Sequence, residues 1–139
     1  MTSEVFLDTA FAIALSVATD EHHARAEKLA DQLETEATRL VTTQAVLLEI
    51  GNALSKQRYR QAAVELLTAL EQDRQVEIAP LTEDLYEQAF DLFCRRPDKE
   101  WGLVDCVSFI VMQERGITEA LTTDEHFEQA GFRALLRGR

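Results

Sequence analysis

Four acidic residues of the sequence lie where an exposed carboxylate would not be expected: Asp8, Glu49, Asp105 and Asp124. Asp8 and Asp124 each follow a short apolar run and precede a helical segment, in VFLDTA and ALTTDEHF. Glu49 and Asp105 lie within apolar helical patterns, AVLLEIGNAL and WGLVDCVSF, and neither pattern contains a Lys or Arg. An ionised carboxylate in apolar surroundings is costly unless a positive group or several hydrogen-bond donors lie beside it. The four acids therefore need partners from elsewhere in the chain, or they belong to a site.

Each acid also has a purely structural interpretation. Asp8 and Asp124 are placed to cap the helices that follow them, and for either residue taken alone this interpretation is favoured. Asp105 lies near the start of its own segment and could cap it. Glu49 is harder to explain in this way, because its neighbours one helical turn away are mainly small or apolar side chains.

Convergence on a divalent cation explains all four acids together. In open α/β sheets ligands collect beyond the carboxyl ends of the strands, which is where Asp8 and Asp124 would lie. Mg²⁺ and Mn²⁺ prefer oxygen ligands and can bridge carboxylates to phosphate oxygens. Such an ion activates a water molecule and stabilises the charge that develops during phosphodiester hydrolysis. We expect Asp8, Asp105 and Glu49 to be the main metal ligands and Asp124 to complete the pocket, directly or through water.

Composition sets further limits. The chain has 139 residues, 46% of them hydrophobic, which predicts one domain over residues 1–139. No apolar run reaches the roughly 18 to 20 residues that span a bilayer, and the start has no signal-peptide pattern, so we expect a cytoplasmic protein without a membrane anchor. The 14 Lys and Arg residues against 25 Asp and Glu residues give a net charge of −11, which opposes unaided binding of a polyanion. Cys94 and Cys106 form no CxxC pair and are expected to be reduced.

Short apolar runs alternate with amphipathic segments along the whole chain. This order predicts an α/β fold with a central parallel sheet. The predicted strands are residues 4–7, 40–42, 76–79, 119–122 and 132–136. The predicted helices are residues 9–18, 20–35, 44–56, 60–72, a helix capped by Thr82, 103–115 and 125–130.

Other site chemistries lack their sequence patterns. The three histidines, His22, His23 and His126, show no HExxH or similar ligand spacing, and we expect them at the surface near helix starts. No GxGxxG, P-loop or GxSxG pattern is present. Phosphotransfer through Asp8 is disfavoured because a phosphatase would carry a second Asp where this chain has Ala10. Trp101 could stack on a nucleic-acid base, although packing in the core is the favoured role.

The segments FLDTA, LLEIGNAL, WGLVDCVSF and LTTDEHFEQAGF, in this order, resemble the PIN domain family and, within it, the VapC-like ribonuclease toxins. The resemblance covers essentially the whole chain. It implies a three-layer α/β/α sandwich with a central parallel sheet of about five strands. It also implies a catalytic, metal-binding pocket of Asp8, Glu49, Asp105 and Asp124, with the Thr of a TxD pattern, Thr122, orienting the site. Ser108 is a weaker supporting candidate.

The function implied by the resemblance is hydrolysis of RNA by a Mg²⁺- or Mn²⁺-dependent endoribonuclease. The protein would be the toxin of a type II toxin–antitoxin pair, a homodimer held inactive by a cognate antitoxin. The target RNA is not identified by the sequence. The alternative is a PIN-fold module that binds RNA or protein with little or no catalytic turnover.

Overall fold

The computed structural model describes residues 3–137, so the two residues at each end of the predicted 1–139 domain lie outside the described residues. Five strands lie within this range: β1 (Glu4–Leu7), β2 (Arg39–Thr43), β3 (Val76–Ala79), β4 (Glu119–Leu121) and β5 (Arg133–Ala134). The helices of the same range are α1 (Thr9–Ser16), α2 (His23–Thr35), α3 (Gln44–Ala53), α4 (Gln57–Gln72), α5 (Glu83–Arg95), α6 (Leu103–Arg115) and α7 (Glu125–Gln129).

The five strands form one parallel sheet in the order β3-β2-β1-β4-β5. The first strand of the chain is therefore central: Phe6 pairs with Val41 of β2 on one side and with Ala120 of β4 on the other. Because all strands run in one direction, their carboxyl ends lie along one edge of the sheet. The α/β prediction, with a parallel sheet of five strands, is confirmed.

The core lies on both faces of the sheet, as the alternation of side chains along a strand requires. Leu7 lines a small cavity with Phe11 of α1 and Leu33 of α2, so these helices cover one face. The preceding residue, Phe6, points to the other face, where its ring contacts Phe127 of α7. Helix α6 packs on this second face and also contacts α5 and α7. The three-layer α/β/α arrangement follows.

Local sequence explains where the helices begin and end. Thr43 and Thr82 cap α3 and α5, each through a side-chain oxygen that accepts a backbone N–H at 3.1 Å. Helix α6 begins after Gly102 and ends at Gly116, whose φ of +68° is the left-handed conformation that favours glycine. The predicted bounds of β1, β3 and α6, and the Thr82 cap of α5, are confirmed.

The predicted break between α3 and α4 was misplaced. Helix α3 ends at Ala53 rather than at residue 56, and α4 begins at Gln57 rather than at residue 60. The chain turns instead at residues 54–56, where Lys56 adopts an extended conformation with φ −64° and ψ 151°. The side chain of Arg60 donates to the Ser55 carbonyl at 2.8 Å and so ties the turn to the first part of α4.

Other predicted ends also differ from the structure. Helix α2 begins at His23, because Asp20 uses its side chain to accept the N–H of His22 at 2.8 Å in a turn before the helix. Strand β5 covers only residues 133–134 of the predicted 132–136, and α1 ends at Ser16 rather than at residue 18. Strand β2 is one residue longer than predicted at each end, and β4 and α7 each end one residue earlier than predicted. Over residues 3–137, no helix has both the length and the hydrophobicity needed to cross a lipid bilayer.

Candidate active site

The four predicted acids are held by four different parts of the fold. Asp8 directly follows β1, Glu49 is in α3, Asp105 is in the first turn of α6, and Asp124 directly precedes α7. The negative charges of Asp105 and Glu49 both raise the pKa of Asp8, and the charge of Asp124 raises that of Asp105. The structure therefore brings all four together at the carboxyl edge of the sheet.

Asp8 is the most deeply placed of these acids, with only 6% of its surface exposed. Its position is the N-cap of α1, yet its side chain makes no capping hydrogen bond. It accepts instead from the Thr122 hydroxyl, with an Oγ1–Oδ2 distance of 2.7 Å. Burial raises the pKa of Asp8 from 3.8 to about 7, against the lowering effects of the Thr122 hydroxyl and the Thr9 amide. The side-chain contacts therefore do not support the interpretation of Asp8 as a capping residue.

Thr122 links two of the acids through one hydroxyl group. The oxygen donates to Asp8 and accepts the backbone N–H of Asp124 at 3.0 Å. Thr122 is fully buried, directly after the last residue of β4. The hydroxyl thus fixes Asp8 relative to the turn that carries Asp124, which is the kind of contact that the predicted orienting role requires.

Glu49 is joined to the site by a residue that the sequence did not single out. The hydroxyl of Thr9 donates to Glu49 Oε1 and so connects the start of α1 to α3. Thr9 is buried and adjacent to Asp8, which places the Glu49 carboxylate next to the Asp8 segment. The only sequence signal was its place after a candidate acid, and the partner lies 40 residues away in the chain.

Asp105 combines a capping contact with a place in the cluster. Its Oδ2 accepts the backbone N–H of Gly102 at 3.0 Å, so the predicted capping contact at the start of α6 is present. The same oxygen lies 3.2 Å from Nδ1 of His126. Burial raises the pKa of Asp105, and the charge of Asp124 adds to this effect, while the Gly102 amide and His126 lower it.

His126 lies near a helix start, as predicted, but its ring is only partly exposed and faces two of the acids. Its Nδ1 lies 3.2 Å from Asp105 and 3.3 Å from Asp124 Oδ1, and its side chain is 24% exposed. Asp124 Oδ1 also accepts the backbone N–H of His126 at 2.8 Å, as expected of an N-cap. The sequence signal was a histidine two residues after a candidate acid. It was missed because the contact with Asp105 spans 21 residues.

Two further candidates lie outside the cluster. The Ser108 hydroxyl is buried and donates to the Val104 carbonyl at 3.1 Å within its own helix, and the supporting role predicted for it stays a prediction. Trp101 packs edge-on against Phe109 and donates from Nε1 to Gln129 at 3.0 Å. With 6% of its surface exposed, Trp101 is a core residue rather than a platform for a base.

Within residues 3–137, no Lys or Arg lies within ion-pair distance of any of the four carboxylates, and His126 is the one ring nitrogen near them. One donor atom each from Asp105, Asp124 and His126 lie within 4.8 Å of one another. Oxygen-rich ligand sets of this kind suit Mg²⁺ and Mn²⁺. The residues present therefore fit a divalent cation, which would neutralise a cluster that the chain itself leaves negative.

Comparison with known protein families assigns this chain to one class. The PIN domain family model matches residues 5–133, and the chain belongs to the PIN domain family. A 23S rRNA-specific endonuclease, VapC20 of Mycobacterium tuberculosis, is 34% identical over 128 residues, covering 92% of this chain and 95% of the relative.

Solved structures agree with this assignment. The crystal structure of M. tuberculosis VapC20, described as a toxin that cleaves the sarcin-ricin loop, superimposes with a TM-score of 0.81 at 32% identity, over 92% of this chain and 95% of that one. VapBC2 of Rickettsia felis, bound to a DNA fragment from its promoter, gives a TM-score of 0.67 at 14% identity, over 94% and 96% of the two chains. At that identity the second likeness concerns the fold alone.

Proposed function

We propose that this protein is a divalent metal-dependent endoribonuclease that hydrolyses RNA phosphodiester bonds. The observation that supports the proposal most strongly is the cluster of Asp8, Glu49, Asp105 and Asp124, which has no Lys or Arg partner in the described part of the chain. Asp8, Asp105 and Glu49 would hold Mg²⁺ or Mn²⁺, with Asp124 completing the pocket. When bound, the ion supplies an activated water and offsets the charge on the scissile phosphate.

Hydrogen bonds from other residues hold three of these carboxylates in position. Thr122 holds one oxygen of Asp8, and Thr9 holds one oxygen of Glu49. The Gly102 amide fixes Asp105 at the start of α6. Because these donors are in place before substrate arrives, the carboxylates need little reorganisation during the reaction. The burial of Asp8 limits access of solvent to this part of the pocket.

The candidate substrate comes from the similarity to VapC20. That relative acts on 23S rRNA, and its crystal structure is of a toxin that cleaves the sarcin-ricin loop. We propose the same rRNA loop as the first substrate to test. The net charge of −11 should suppress binding to RNA in general, so recognition would depend on the bound cation and on local contacts.

Partners follow from the same similarity. We propose that the protein is the toxin of a type II toxin–antitoxin pair, that a cognate antitoxin silences it, and that it acts in the cytoplasm.

We also propose a homodimer. Helix α5 exposes three aromatic side chains whose rings stack in a row, Tyr86, Phe90 and Phe93, each more than 40% exposed. A solution mass of the purified protein, compared with that of Phe90→Arg, tests whether these rings lie in the contact between subunits.

Cleavage of a sarcin-ricin-loop RNA hairpin tests the function. We expect cleavage with Mn²⁺ or Mg²⁺, none with EDTA, and none by Asp105→Asn. Ser108→Ala is a matched control on the same helix, because its hydroxyl donates to the Val104 carbonyl of that helix. Cleavage that survives both EDTA and Asp105→Asn would reject the proposal. Binding of the hairpin with metal but without cleavage would favour a binding module instead.

A further inference from the structure

We propose that His126 is a nitrogen ligand of the catalytic cation, and that it makes the site prefer Mn²⁺ to Mg²⁺. This inference rests on the proposed metal-dependent function and goes further, because it assigns one more ligand and a metal preference. The family resemblance implied a pocket of four acids and did not include a histidine. The assignment comes from the position of the ring in this structure.

The distances around the His126 ring match those between ligands that share an ion. Nδ1 lies 3.2 Å from Asp105 Oδ2 and 3.3 Å from Asp124 Oδ1. Ligands at about 2.1 Å from an octahedral ion are separated by about 3.0 Å when adjacent and about 4.2 Å when opposite. The three donor atoms lie within 4.8 Å of one another, so one ion can contact all of them after small side-chain shifts.

The ring is held in this position by its own backbone. The N–H of His126 donates to Asp124 Oδ1 at 2.8 Å, which folds the first turn of α7 back onto Asp124. Phe127, the next residue, is fully buried against Phe6 and Phe109 and anchors the turn in the core. The ring therefore faces the carboxylates because the backbone on both sides of it is fixed.

The other two histidines are placed differently. Nδ1 of His23 is 2.7 Å from the Ala14 carbonyl, and its Nε2 is 3.3 Å from Glu27. Nε2 of His22 lies 3.8 Å from Glu21. Within residues 3–137, His126 is the one histidine whose ring nitrogen faces two carboxylates of the cluster.

Ligand chemistry gives the expected metal preference. Mg²⁺ is a hard ion that favours oxygen and keeps several waters, whereas imidazole nitrogen suits transition metals. Replacing one oxygen ligand by nitrogen therefore raises the affinity for Mn²⁺ relative to Mg²⁺. A ring that only donated a hydrogen bond to the two carboxylates would affect both ions alike.

Pulsed electron paramagnetic resonance of the Mn²⁺-loaded protein tests the assignment directly. We expect a nitrogen coupling in the wild-type protein, its change from ¹⁴N to ¹⁵N when only histidine is labelled, and its loss in His126→Asn. His22→Asn is the matched control and should keep the coupling. The labelling experiment needs no variant, so it shows whether a histidine nitrogen binds the ion even if His126→Asn folds poorly. Within residues 3–137, the ring of His126 is the one that faces the cluster.

Calorimetric titration provides the second measurement. We expect His126→Asn to weaken Mn²⁺ binding about tenfold or more and Mg²⁺ binding less than about threefold. Mn²⁺ binding and RNA cleavage without a histidine nitrogen coupling would overturn this inference and leave the proposed function intact. A wild-type protein that neither binds Mn²⁺ nor cleaves RNA would overturn both.

Discussion

The two edges of the sheet both gather acidic side chains, but they neutralise them differently. At the amino edge, Arg115 lies 3.0 Å from Glu4 and 2.9 Å from Glu77, and Arg39 also reaches Glu77. The hydrogen bond from Arg115 lowers the pKa of Glu77, while burial raises that of Asp8 at the carboxyl edge. Carboxylates paired with arginine act as structural groups, whereas the cluster at the carboxyl edge has no Lys or Arg partner within residues 3–137, which supports the proposed cation site.

The largest expected difference between the two edges is in RNA cleavage. Asp8→Asn should lower kcat by about a thousandfold, since it removes a proposed ligand of the cation that would stabilise the transition-state charge, and loss of such stabilisation has an effect of about this size. Glu77→Gln at the amino edge should change kcat by less than about threefold. Single-turnover cleavage of the sarcin-ricin hairpin by both variants measures this. Equal losses would mean that the two edges do not divide function in this way.

The same substitution, Asp8→Asn, should lower activity but raise the free energy of unfolding. The pKa of Asp8 is raised from 3.8 to about 7, so the folded protein binds a proton that the unfolded chain releases. Binding of this proton stabilises the folded state fully below about pH 4. The stabilisation decreases as the pH rises from about 4 to about 7, and it is absent at higher pH. In metal-free protein at pH 8, Asp8→Asn should therefore raise the free energy of unfolding by about 2 to 4 kcal/mol. Urea unfolding with EDTA at pH 8 and pH 4 tests this, with no gain expected at pH 4.

Two buried threonines, Thr122 and Thr42, allow a test of whether the hydroxyl that contacts Asp8 matters for activity. Thr122→Val removes the hydroxyl that holds Asp8, and we expect a 10- to 100-fold loss of kcat, about the size of effects from groups that orient metal ligands. Thr42→Val is the matched control, because the Thr42 hydroxyl is equally buried but donates to the Leu7 carbonyl at 2.8 Å. The control should lower stability without changing kcat by more than about threefold. Similar kcat values for the two variants would contradict the proposal that Thr122 positions Asp8.

The smallest expected effect belongs to the paired edge. Arg115→Gln should lower the free energy of unfolding by about 1 kcal/mol, because the Arg115 side chain is 31% exposed and water screens its two ion pairs. Since the pKa of Glu77 is lowered, this contribution is present at neutral pH and disappears as the medium becomes acidic. It should also shrink at 1 M salt. Urea unfolding at low and high salt measures it, and a loss that ignored salt would contradict the ion-pair explanation.

The sequence was informative wherever one local pattern determined the structure. Strand β1 followed by Asp8, and α6 between Gly102 and Gly116, could be predicted because apolar periodicity and glycine chemistry are local. The turn after α3 could not be placed, since residues 54–56 contain neither Gly nor Pro and the contact from Arg60 becomes visible only in three dimensions.

The same distinction applies to the site. The four acids could be proposed because carboxylates in apolar segments are unusual in any fold. Thr9 and His126 could not, because a threonine or a histidine near a helix start is ordinary. Their significance depends on partners 40 and 21 residues away in the chain. Long-range contacts between common residue types leave no mark in a single sequence.

The hydrogen bond between Thr122 and Asp8 joins residues 114 positions apart and closes the pocket across the centre of the sheet. A chain still emerging from the ribosome has Asp8 and Glu49 exposed long before β4 is synthesised. It cannot complete the pocket until β4 and Thr122 have left the exit tunnel. Prematurely terminated products that end before β4 would therefore lack the completed pocket.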